Sequence, residues 1–156
     1  MRLRLPPDQV AALQVALARA GTVEIGGQIF GEQLAPSDFV ASEMTFQKRR
    51  GSFARFVVDL MQAAKDALRF FERTSHRYSR FNYIGEWHSH PSFAVRPSEV
   101  DLASMRQLVG DPGFHGNFAV LLIVRLAGDE LLCGGWLFDP QGGSFPIDLE
   151  FADDVI

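Results

Sequence analysis

The chain has 156 residues, 47% of them apolar and 22% charged, with a net charge of −4; this suits a single packed domain over residues 1–156 and excludes a disordered or fibrous chain. Its basic run Lys48-Arg49-Arg50 is too short for a nucleic-acid footprint, and no stretch of about eighteen apolar residues is present to span a bilayer. MRLRLPPDQV lacks the apolar stretch of a secretory leader and one cysteine allows no internal disulfide, so a cytoplasmic protein with no nucleic-acid and no membrane partner is expected.

In chain order, the first predicted element is a helix from Pro7 to Ala20, with Val10, Leu13 and Leu17 on one stripe, Pro7 in the first turn and Gly21 at the stop. A strand follows from Thr22 to Phe30, interrupted at Gly26-Gly27 by a bulge or a close backbone approach. Phe39 to Thr45 reads as a weaker strand. Ser52 then caps a long helix carrying Phe53, Phe56, Val57, Leu60, Ala64, Leu68 and Phe71 at helical spacing. Phe81 to His88 reads as a strand, Pro91 and Pro97 bracket a loop, and Ser98 opens a short helix through Leu108 with Leu102, Met105 and Leu108 buried. Phe118 to Leu126 is apolar enough for a central strand, Leu131 to Phe138 pairs with it across Ala127-Gly128-Asp129, and a last strand from Ser144 to Phe151 takes an edge. The order predicts an α+β domain, with helices packed on a mixed or mostly antiparallel sheet.

The chemistry is concentrated between Gly85 and Asp101. On a strand, His88 and His90 point to the same face roughly 6–7 Å apart along the chain, so both can turn toward one ion. Neutral imidazole suits zinc, and a catalytic zinc site takes three protein ligands, leaving the fourth position to water. Asp101, in the first turn of the following helix, supplies the third ligand if the proline-bracketed loop folds that turn back over the strand. Each piece also has a structural reading. A His-x-His pair is common, and Ser98-x-x-Asp101 is an ordinary helix-start signature in which Ser98 caps the amide of residue 101. Glu86 shares a face with His88 and is a second candidate carboxylate beside Glu24. Trp87 points to the core, His76 and His115 lack partners at ligand spacing, and Cys133 reads as a small buried hydrophobe.

Glu24, the His88-x-His90-Pro91 run and Ser98-x-x-Asp101 together resemble the JAMM, or MPN+, zinc metallopeptidases, and the glycines from Glu24 to Gly31 resemble that family's glutamate-bearing strand. The resemblance implies an MPN/JAB, cytidine-deaminase-like fold, a mixed sheet flanked by one long and several shorter helices. It implies Zn2+ on His88, His90 and Asp101, Glu24 as the general base that takes a proton from the attacking water, and Ser98 as the donor that steadies the oxyanion. The Gly85-Glu86-Trp87-His88 form looks like that of bacterial members found beside ubiquitin-activating-like and conjugating-like enzymes, including those of anti-phage defence operons. The implied substrate is a ubiquitin-like protein or its conjugate, cleaved after its C-terminus. Small peptides or metabolites, or a non-catalytic scaffold, are the alternatives. The loop from Ser92 to Arg96 and the segment from Phe39 to Ser52 are expected to flank the metal.

Overall fold

The computed structural model describes residues 1–47 and 60–152, the side chains of residues 60–63 excepted. Its elements are β1 (Arg2–Leu5), α1 (Pro7–Ala20), β2 (Gly26–Ala35), β3 (Asp38–Met44), α2 (Leu60–Arg73), β4 (Phe81–Ser89), α3 (Glu99–Gly110), β5 (Ala119–Ala127), β6 (Glu130–Phe138), β7 (Ser144–Pro146) and β8 (Asp148–Phe151). The strands form one eight-stranded sheet in the order β7-β6-β5-β4-β2-β3-β1-β8. It is mixed, as expected: β1 runs parallel to β3 and β8, β4 runs parallel to β5, and the other pairs are antiparallel.

Helix α1 runs between the predicted residues and buries Leu13 and Leu17 against one face of the sheet, in a layer with Leu3, Leu5, Ile29, Ile84, Trp87, Val120, Leu122 and Val124. Helix α3 covers the other face, where Met105 and Val109 meet Ala119, Leu121, Ile123 and Phe138. Alternation along β5 therefore feeds two cores, which is why its sequence is apolar from Ala119 to Val124.

Four expectations need correction. Arg2–Leu5 is a strand that the pattern had not suggested, its two leucines fully buried and its arginines paired outward with Asp38 and Glu150. The strand predicted from Thr22 begins only at Gly26 and runs on to Ala35. Before it, the Ile25 amide is taken by Ser89 Oγ at 3.0 Å in place of a ladder bond, so Glu24 lies in the approach to the strand. The last strand is two: β7 stays on β6, the Ile147 amide continues that register with a bond to the Gly135 carbonyl at 3.0 Å, and β8 then pairs with β1 at the opposite edge. Among the described side chains of α2, Phe70 is the buried one, stacked on Phe30 with ring centroids 4.7 Å apart, while Leu68 is exposed. Ser52, Phe53, Phe56 and Val57 of the predicted long helix lie outside the described residues, as does Lys48-Arg49-Arg50.

Of the two readings of Gly26-Gly27, the close approach is the right one. A Cβ on Gly27 would stand 1.9 Å from the Thr45 carbonyl oxygen, the same oxygen that accepts the Trp87 indole N–H at 2.9 Å. The irregularity in the β2–β4 ladder falls further on, between Ile29 and Phe30, opposite Gly85 and Tyr83.

Candidate metal centre

The pairing of β4 sets which of its side chains face the site. Trp87 pairs with Gly27 and Leu122, His88 with Gly26 and Ile123. Burying Trp87 in the layer under α1 therefore turns His88 and Glu86 to the opposite face, the one α3 covers. His90 lies one residue beyond the strand, its amide bonded to the Val124 carbonyl at 2.9 Å.

Helix α3 delivers the carboxylate. Ser98 is its N-cap: Ser98 Oγ accepts from the Asp101 amide at 3.2 Å, and the Ser98 amide donates to Asp101 Oδ2 at 2.7 Å, a reciprocal capping box. The structural reading of this motif is thus correct, and the same cap aims the acid at the histidines. Asp101 Oδ1 lies 3.2 Å from His88 Nε2, Asp101 Oδ2 lies 3.4 Å from His90 Nε2, and the two ring nitrogens are 3.2 Å apart. Both imidazoles are buried. Among the described residues these three form the group able to hold a metal ion, with ligand atoms within 4.8 Å of one another.

Zinc fits this donor set. Ligands at about 2.0–2.1 Å around a tetrahedral ion stand about 3.3 Å apart, and the observed separations are 3.2, 3.2 and 3.4 Å. The hydrogen bonds point the same way. His90 Nδ1 donates to the Ala94 carbonyl at 3.0 Å, so in the neutral ring the Nε2 lone pair faces Asp101 and His88. Lone pairs converging on one point repel unless protons or a cation sit among them. The electrostatics reflect this need. The hydrogen bond that His90 donates to Asp101 raises the pKa of His90, against the opposing effect of burial. For Asp101, burial alone would push the carboxyl up; the hydrogen bonds from His88 and His90, with the Ser98 amide, outweigh it and hold the group well below the usual carboxylate range.

The remaining candidates take distinct places. Glu24 is half-buried, and its negative charge is close enough to His90 to contribute to that ring's raised pKa. Ser98 is exposed and gives its hydroxyl hydrogen to Asp101 Oδ2 at 2.7 Å. Glu86 lies on the site face beside Gln28 of β2; burial pushes its carboxyl up, opposed by the charge of His88 and a hydrogen bond with Tyr83. His76 and His115 are exposed and away from the cluster, His76 bonded to the Tyr78 hydroxyl. Cys133 is a partly buried strand residue whose thiol burial pushes up to about 12, in keeping with an inert side chain. Two contributors had no sequence signal: the Ala94 carbonyl, a backbone atom, and Ser89 Oγ, whose role depends on where residue 25 passes.

A sequence profile of prokaryotic homologs of the JAB domain matches residues 7–133. No curated protein matches the chain. Among solved structures, the solution structure of a protein from Desulfitobacterium hafniense superposes with a TM-score of 0.71 at 17% identity, over 97% of this chain and 94% of that one. A solution structure of a protein from Salinibacter ruber superposes with a TM-score of 0.59 at 20% identity, over 97% and 93%. At these identities the likeness is one of fold.

Proposed function

We propose, on the premise that this chain belongs to the family of prokaryotic homologs of the JAB domain, that it is a zinc-dependent peptidase or isopeptidase of the JAMM type. The observation that carries the reading is the convergence of His88, His90 and Asp101, with acceptor atoms 3.2–3.4 Å apart. Zinc held by these three supplies Lewis acidity, polarising a carbonyl and lowering the pKa of water to about 7. The chain's own residues do the rest. Glu24, beside His90, accepts a proton from the attacking water and passes it to the departing amine. Asp101, held ionised by its hydrogen bonds, keeps both imidazoles aimed inward. Ser98 donates to the developing oxyanion once its hydroxyl turns from Asp101. Glu86, tied to Tyr83, supports the His88 end of the site.

The substrate in this reading is the C-terminal tail of a ubiquitin-like protein, released from a conjugate or a precursor, with activating-like and conjugating-like enzymes as functional partners. It is supported by the Gly-Glu-Trp-His-x-His-Pro form of the motif, which resembles that of bacterial members of such systems. No helix among the described residues is long and apolar enough to cross a membrane.

The test uses purified protein with a linear ubiquitin-like fusion and with short peptides, each with and without chelator. Cleavage of the fusion that chelator abolishes and zinc restores, with Glu24→Gln retaining metal but losing about 10²–10⁴ in rate, is the expected result. A zinc-loaded Glu24→Gln protein that hydrolyses as well as the parent overturns the assignment of the base. Cleavage confined to short peptides overturns the assignment of the substrate.

A further inference from the structure

Between His90 and Ser98 the chain makes no regular element, yet three successive carbonyls in it are each met by a different part of the sheet. Arg125 of β5 donates from Nη1 to the Phe93 carbonyl at 3.2 Å. His90, one residue past β4, donates from Nδ1 to the Ala94 carbonyl at 3.0 Å. The Val95 carbonyl oxygen lies against Gly134 of β6, 2.1 Å from where a Cβ on that residue would stand. Pairing explains the convergence: Gly134 lies opposite Ile123, two residues before Arg125, so both project to the face that carries His88.

Arg125 is unusual in its environment. It forms no ion pair among the described residues, and its Nε is buried with no hydrogen-bond partner. The residue as a whole is partly exposed, so only this one nitrogen is shielded, and the bond from Nη1 to the Phe93 carbonyl is what ties the side chain to the loop. Gly134 is equally constrained. A Cβ there would stand 2.1 Å from the Val95 carbonyl oxygen and 2.5 Å from the Trp136 ring, so one or both would have to move.

We propose that Arg125 and Gly134 are positioning residues for the ligand His90. By fixing the carbonyls on both sides of Ala94, they hold the Ala94 oxygen on His90 Nδ1, and that bond sets the tautomer and the ring plane that present Nε2 to Asp101 and His88. The inference rests on the metal reading given above and adds to it two residues that touch neither metal nor ligand.

The experiment compares the full chain with Arg125→Met, Gly134→Ala and, as a control, Arg4→Met, which removes the two hydrogen bonds to Asp38 far from the site. Zinc affinity is measured by chelator competition, ligand geometry by the visible spectrum of the Co2+ form, and fold stability by thermal unfolding with chelator present. Arg125→Met and Gly134→Ala are expected to bind zinc about 10-fold or more weakly, as supporting residues around metal ligands do, with an altered Co2+ spectrum. Arg4→Met is expected to lower the unfolding temperature and leave affinity and spectrum unchanged. If Gly134→Ala does not fold, Arg125→Met decides alone. Parental affinity and spectrum in Arg125→Met overturn the inference while leaving the metal site intact. A parent chain that takes up no metal overturns the metal reading itself.

Discussion

Two neighbouring residues of β4 do opposite work. Trp87 is fully buried in the layer under α1, its indole bonded to the Thr45 carbonyl; His88 faces the other way, toward Asp101. One face of the strand packs Trp87 into the core and turns Ser89 to the Ile25 amide, and the other bears Glu86 and His88, with His90 just beyond. The face that bears Trp87 nevertheless sets the site. A slip of one residue in the β2–β4 or β4–β5 pairing would bring His88 under α1 and Trp87 to the site face, at the cost of burying an imidazole among Val120, Leu122 and Val124. The placement of the ligands is thus set by packing on the far side of the sheet.

Substitutions at these two positions are the strongest way to break the comparison. His88→Ala is expected to abolish zinc binding, by more than the 10–100-fold that loss of a supporting residue costs, while thermal unfolding in chelator stays near the parent. Trp87→Ala is expected to do the reverse: about 3–5 kcal/mol of stability lost, read by denaturant titration, with full metal content in the molecules that remain folded. If Trp87→Ala lost metal without losing stability, the two faces would not be separate in function.

The same separation decides what could be read from sequence. The faces of β4 were legible, because strand alternation is local and His88-x-His90 needs only parity. Helix α1 was legible between its Pro7 and Gly21 signals, and so was the β5–β6 hairpin across Gly128-Asp129, whose strands pair from Ala127 and Glu130 onward. What failed depended on partners distant in sequence. Arg2–Leu5 is too short to show a period and becomes a strand because β3 and β8 flank it. The split at Ile147 depends on β1, the distant edge that β8 joins, and the late start of β2 on Ser89 Oγ standing in for the ladder. The histidines and Asp101 were legible as a set, whereas the carbonyls and glycine that brace His90 belong to backbone no pattern reveals.

Acidity sharpens the comparison from the site face alone. In metal-free protein the raised pKa of His90 contributes stability below the ordinary histidine value of about 6.5, and this is lost as pH rises through the raised value. The lowered pKa of Asp101 contributes above the ordinary carboxyl value of about 3.9 and is lost only as pH falls through its much lower folded value. With chelator present the unfolding temperature should therefore be higher near about pH 5.5 than near about pH 8, by about 2–4 °C if His90 contributes roughly 1 kcal/mol. With zinc the order should invert, since binding requires deprotonated imidazole. A scanning-fluorimetry series at both pH values, with chelator and with zinc, measures all four states. Equal values without metal would mean that His90 and Asp101 are not coupled as their distances imply.

A comparably small loss of stability is expected at Ser98, where cap and chemistry share one oxygen. Ser98→Ala removes the bond from the Asp101 amide to Ser98 Oγ and the hydroxyl hydrogen on Asp101 Oδ2, but leaves the Ser98 amide donating to the same carboxylate oxygen at 2.7 Å. The carboxylate therefore keeps its aim, and the loss should be about 1 kcal/mol, the usual value of an N-cap, with zinc affinity nearly unchanged. A donor already directed at an oxyanion contributes about 10²–10³ in kcat. Ser98 must first give up Asp101, so kcat should fall by less, about 10-fold, with KM unchanged. A fall of the full 10²–10³ at parental stability and metal content would mean that the hydroxyl leaves Asp101 at little cost once substrate is present, and that its capping bond is incidental to its role.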